Sequence, residues 1–106
     1  MSKHVFDRKK WLAMDIFNQM GNIGSEVGRA LSAKRRGDEI SMLGAYYRGL
    51  DLIDTTVGGL VAQKSPRTKE VLRAREEFSN AIMTDKIDDS LEAYFMNYAI
   101  VARMQR

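Results

Sequence analysis

The sequence predicts an all-α protein: an antiparallel up-down-up-down four-helix bundle in which helices 1 and 2 are longer than helices 3 and 4. Three observations predict it. Apolar residues recur at spacings of three and four along three segments, and a fourth is apolar nearly all round; three-and-four spacing is the period of one helix face. A single proline, seven methionines and many Ala, Leu, Glu, Lys and Arg residues favour helix over strand. The segments are joined by short polar stretches, "AKRRGDE", "KSPRTKE" and "TDKIDDS", and short connections place consecutive helices side by side and antiparallel. At 106 residues the chain is expected to form one domain spanning 1–106, with 1–7 as a flexible arm.

The first helix is expected over 8–36, about 40 Å at 1.5 Å per residue. Ala13, Ile16, Met20, Ile23, Val27 and Ala30 form its apolar face; Asp15, Asn18, Asn22, Ser25, Arg29 and Ser32 form its polar face. Asp7 is placed to cap its start, and Gly37 to cap its end behind Lys34, Arg35 and Arg36. The stretch "QMGNIGSEVGRALS" carries Gly21, Gly24 and Gly28. A phosphate loop needs a preceding strand and, in the Walker form, a closing Lys-Ser or Lys-Thr, and neither is present. Offsets of three and seven instead put the glycines on one stripe. Each is therefore expected to face another helix, with aromatics of the fourth helix or a partner helix as occupants.

The second helix begins after the Asp38 cap. It carries Leu43, Tyr46, Leu50, Ile53, Val57 and Leu60 on one face and either reaches Gln63 or frays at Gly58–Gly59. The third, roughly 66–83, has Ser65 as its expected N-cap, Pro66 at its first position, and Val71, Ala74, Phe78 and Ile82 inward. The fourth, roughly 89–104, follows a cap at Asp88 or Asp89 and is apolar nearly all round. It is expected at the centre of the bundle, or buried on a second side by another subunit. The longer hairpin leaves apolar surface near Ile40, Tyr46 and Tyr47 that a homodimer or higher homo-oligomer would cover.

With no cysteine, disulfides, thiolate metal sites and cysteine nucleophiles are excluded. No apolar run approaches the roughly 20 residues of a membrane span. The start shows no signal-peptide pattern, so a cytoplasmic location is expected. His4, the sole histidine, stands in the arm with no triad or zinc partners. Asp54 shares a stripe with Tyr47, Leu50, Val57 and Val61 and is expected partly buried, paired with Arg29, Arg48 or a tyrosine hydroxyl. Tyr94, Phe95 and Tyr98 could stack bases, but their helical spacing fits core. No catalytic residue, metal or cofactor is expected.

The basic residues carry the functional reading. In an up-down-up-down arrangement one end collects Lys3, Arg8, Lys9, Lys10, Lys64, Arg67, Lys69, Arg103 and Arg106 against Asp7 and Glu70. The opposite end mixes Lys34, Arg35, Arg36 and Lys86 with five acidic residues. Arg8, Lys9, Lys10, Lys64, Arg67, Lys69 and Arg103 are thus the candidate contacts to RNA, DNA or an acidic protein surface. The alternative is a protein–protein adaptor using apolar surface of helices 2 and 4, with the charge incidental. A third reading, a small enzyme built on Asp54 with Tyr46 or Tyr47, lacks companion groups.

The layout "GRALSAKRRGDEISMLGAYYRGLDLIDTT", a helix, a Gly-Asp turn and a helix with an Ala-Tyr-Tyr-Arg core, resembles bacterial helical-bundle families. It is similar to the opening hairpin of HEPN-type domains and to the four-helix bundles of the 23S rRNA intervening-sequence and retroelement accessory type. HEPN nucleases use an Arg-x4–6-His motif, which this chain cannot supply because His4 precedes every helix. The resemblance therefore implies a non-enzymatic, oligomeric bundle, in part a nucleic-acid or reverse-transcriptase partner.

Overall fold

A computed structural model of the chain describes residues 7–85 and 89–105, except for the Asp89 side chain. The expected arm with His4, and the cap from Asp88 or the Asp89 side chain, lie outside the described residues. Those residues form five helices, α1 (Arg8–Ala13), α2 (Ile16–Arg35), α3 (Glu39–Ala62), α4 (Thr68–Met83) and α5 (Asp89–Met104), and no strand. None of the helices is long and apolar enough to cross a membrane.

The expected first helix is two helices. Met14 and Asp15 are extended, and Asp15 caps α2 by accepting from the Asn18 N–H at 2.8 Å. Asp7 caps α1 in the same way through Lys10. Ala13 and Ile16 keep the helical spacing across the break, which hid it. A six-residue helix has no stability of its own, so α1 depends on its anchor. The buried Trp11 Nε1 donates to Thr56 Oγ1 at 2.9 Å, and the buried Gln19 Nε2 donates back to the Trp11 carbonyl at 3.0 Å. Arg8 also reaches Thr55, and Leu12 lies against Gly59. The partner numbers rise together, so α1 runs parallel to the end of α3 and the chain reverses at Met14–Asp15.

The other helices pair antiparallel. Along α3 and α4, Tyr46 meets Ser79, Gly49 meets Phe78 and Asp54 meets Arg75. Along α2 and α5, Gly21 meets Ala99, Gly24 meets Phe95 and Arg35 meets Glu92. Here α2, not the apolar last helix, is central, lying against both α3 and α5. Met20, Ile23, Val27, Ile53, Val71, Phe78, Leu91 and Phe95 fill the core. α5 buries Leu91, Phe95, Tyr98 and Ala102 but exposes Met96, Ile100 and Met104. Tyr46, expected at an uncovered surface, is buried with its hydroxyl on Ser79 at 2.9 Å, whereas Ile40 and Tyr47 are exposed.

α2 and α3 end alike. Gly37, with φ +75°, and Lys64, with φ +54°, take the left-handed conformation. Each is followed by a residue whose N–H reaches back, Asp38 to the Ala33 carbonyl and Ser65 to the Leu60 carbonyl; together with the Gly37 and Lys64 N–H groups this forms Schellman caps. α3 runs unbroken through Gly58–Gly59. Pro66 and Arg67 form a turn rather than the first helical positions. Ser65 Oγ accepts from the Arg67 N–H at 3.1 Å, and α4 starts at Thr68, without a side-chain cap.

Candidate functional site

The chain reversal divides the expected basic surface. The α3–α4 turn, the start of α2 and the end of α5 share one end: Arg67 Nη1 donates to Tyr98 at 3.3 Å while its guanidinium lies 5.6 Å from the Phe17 ring. Lys64 and Lys69 belong to the same turn region, and exposed Arg103 lies five residues beyond Tyr98 toward the end of α5. Arg8 is held beside Thr55, nine residues before Lys64 on α3, so it starts roughly 13 Å back along the helix axis. Lys9 and Lys10 follow it, exposed on the flank. Four of the seven candidates therefore form an end face, and three form a separate flank.

The end face also has an anionic component, the expected Glu70 together with Asp15. Asp15 stands there as the α2 cap, and Glu70 accepts hydrogen bonds from Tyr94 (2.7 Å) and from Tyr98. The Tyr98 and Tyr94 hydroxyls, in that order, hold the Glu70 carboxyl below its ordinary value. Burial, then the hydrogen bond to Tyr98 and the one to Glu70, raises the Tyr94 phenol well above the usual tyrosine range; burial and Glu70 also raise Tyr98. Phe17, Tyr94 and Tyr98 associate by tilted and edge contacts, at 6.0 Å for Phe17–Tyr98 and 5.3 Å for Tyr94–Tyr98. These rings support Arg67 rather than offering open faces to bases. The signal for the network is the i,i+4 pair Tyr94 and Tyr98 opposite a glutamate one turn after Arg67, legible only once α4 and α5 are known to be neighbours.

Among the described residues, Lys34, Arg35 and Arg36 at the opposite end are engaged. Lys34 donates to the Ala81 and Thr84 carbonyls at the end of α4, Arg35 pairs with Glu92 at 2.7 Å, and Arg36 pairs with Asp38 at 3.6 Å. By contrast, no ion pair joins Lys9, Lys10, Lys64, Lys69 or Arg103 to another described residue. A cation without a carboxylate partner gives up no existing pair when it meets a phosphate.

Two other expectations are corrected. Asp54 is exposed, not partly buried. Its carboxylate pairs with Arg75, at 2.6 and 3.2 Å, rather than with Arg29, Arg48 or a tyrosine. Of the three glycines, Gly21 and Gly24 lie against Ala99 and Phe95 of α5, but Gly28 faces no other helix: a methyl group there would have nothing within 4 Å. Among the described residues, no group of three or more His, Cys, Asp or Glu side chains could hold a metal ion. Comparison of the chain with protein-family models, with curated proteins and with solved structures finds no significant match.

Proposed function

We propose that the protein is a non-enzymatic, homo-oligomeric four-helix bundle, α1 being a buttress on α3, that engages nucleic acid through its basic end. The observation that carries this reading is the convergence of Lys64, Arg67, Lys69 and Arg103, from two separated segments, onto one end, with Arg67 fixed by Tyr98 and Phe17. Lys9 and Lys10 extend the positive surface along the α1 flank. With few aromatic faces open, the contacts are to phosphates, and binding is insensitive to sequence. Four phosphate contacts predict a slope of log affinity against log salt near −3.6 on duplex DNA, at about −0.9 per contact. Lys64→Gln with Lys69→Gln should reduce that slope by about 2. Absence of RNA and DNA binding at about 50 mM salt, or binding without salt dependence, would reject the nucleic-acid role.

A second reading is favoured by the exposed stripe of Met96, Ile100 and Met104 on α5 and by exposed Ile40, Tyr47 and Val61 on α3. On it the protein is an adaptor that uses these apolar faces. Reversal of Lys9, Lys10, Arg67 and Lys69 to glutamate would then leave partner capture intact.

A further inference from the structure

We propose that the groove between α2 and α3, on the side of the molecule away from the Lys64–Lys69 turn, binds the phosphoryl chain of a condensed phosphate. The groove has a volume of about 630 Å³ and is lined from α2 by Ser25, Arg29 and Ser32, with Arg36 just beyond the helix, and from α3 by Ser41 and Arg48. It is open because Gly28 carries no side chain and faces nothing within 4 Å, while small Ala45 also lines it. The spacing is regular. Ser25 and Ser32, and Arg29 and Arg36, are seven residues apart, so each pair spans two turns on one face, about 10.5 Å. Three guanidiniums spread over that length suit a row of phosphoryl groups better than one phosphate.

The arginines are held by groups behind them. Glu26, its side chain 14 % exposed, contacts Arg48 Nε at 3.2 Å and Arg29 Nη1 at 3.3 Å. Arg36 donates Nη1 to Ser32 Oγ at 3.0 Å and pairs with Asp38. Three guanidiniums against two carboxylates leave net positive charge; Arg29 and Arg48, each held through one nitrogen, keep further N–H donors of the kind phosphate oxygens match, while both Nη atoms of Arg36 are already engaged. Ser41 lies in the first turn of α3; its N–H is taken by Asp38 Oδ1 at 3.1 Å, so it offers the groove its hydroxyl. Among the described residues no aromatic ring lines the groove, so the chemistry recognises phosphoryl groups and not a base. The site is independent of the nucleic-acid reading, which rests on the other end of the molecule.

The test is calorimetric titration of the full chain with tripolyphosphate, orthophosphate and ATP. Tripolyphosphate should bind about tenfold or more tightly than orthophosphate, and ATP should match it, because the base gains no contact. Arg29→Gln with Arg48→Gln should weaken tripolyphosphate binding by at least about tenfold. Gly28→Glu, which places a carboxylate in the groove, should abolish it. Arg73→Gln, on the exposed face of α4, should leave it unchanged. Arg29→Gln alone, at a side chain 63 % exposed, provides the same readout if the double variant fails to fold. The proposal is overturned by no tripolyphosphate binding to the wild type, by arginine variants that bind as it does, by an equal loss in Arg73→Gln, or by ATP binding far more tightly than tripolyphosphate. The nucleic-acid role is read separately, from the salt slope of the Lys64 and Lys69 variants.

Discussion

Replacing Gly24 by alanine is expected to destabilise the protein, whereas the same replacement at Gly28, about one turn along α2, is expected to stabilise it. Both changes remove a helix-interior glycine and gain about 1 kcal/mol in backbone entropy and propensity. At Gly28 nothing opposes that gain, since the new methyl meets no atom within 4 Å. At Gly24 the methyl would sit 2.7 Å from Cβ of Phe95 and 3.5 Å from its Cγ. Carbon atoms pack at about 3.5–4.0 Å, so α2 and α5 must separate locally by roughly 1 Å. Phe95 is only 2 % exposed and rests edge-on to Tyr94 at 5.1 Å, and Gly21 already fits Ala99 tightly, so the strain cannot be relieved by one rotamer. Overpacking of this kind costs about 1–3 kcal/mol. The two variants should therefore differ by about 1–3 kcal/mol, with Gly28→Ala above the wild type. In a chain of about 100 residues each kcal/mol moves Tm by about 4 °C. Urea unfolding followed by circular dichroism checks both, with unchanged m-values showing that the midpoint shifts are changes in stability. A Gly24→Ala variant as stable as Gly28→Ala would refute the close approach of α5 to α2.

Three further outcomes follow from the geometry. Thr56→Val leaves the buried Trp11 indole N–H without its acceptor, at a cost of about 1–3 kcal/mol; the emission of this single tryptophan should change with α1 docking, and an unaltered spectrum and midpoint would exclude Trp11 as the anchor. Lys64→Gly relieves a left-handed residue at φ +54° and should raise stability by about 1 kcal/mol; a lower urea midpoint would contradict it. Because the Glu70 carboxyl is depressed below 4.5 by Tyr98 and Tyr94, its stabilisation is complete above the unfolded-state value and is lost as pH falls through the lower folded-state value. Unfolding midpoints of Glu70→Gln should therefore decline less on acidification than those of the wild type, and parallel profiles would show that the tyrosines contribute nothing there.

The sequence by itself determined the local choices, because their causes lie within a few residues. The 3–4 spacing marks α2, α3 and α4, and α4 buries Val71, Ala74, Phe78 and Ile82 as that spacing requires. Asp7 and Asp38 cap the helices they precede, and Gly37 ends α2. What only the tertiary structure decided concerns which helix meets which. The Met14–Asp15 reversal keeps the helical apolar spacing and is accompanied by the contact of Trp11 with Thr56, 45 residues away; it moves Arg8, Lys9 and Lys10 off the end that Lys64, Arg67, Lys69 and Arg103 share. Gly21, Gly24 and Gly28 share one stripe in sequence, but only the first two face α5. Arg29, which looked like a partner for Asp54, turns with Arg48 toward Glu26 and the groove, while Asp54 meets Arg75 from α4. Periodicity fixes the face a residue occupies on its own helix; the neighbour on that face is set by packing between distant segments, and the candidate sites are made of such neighbours.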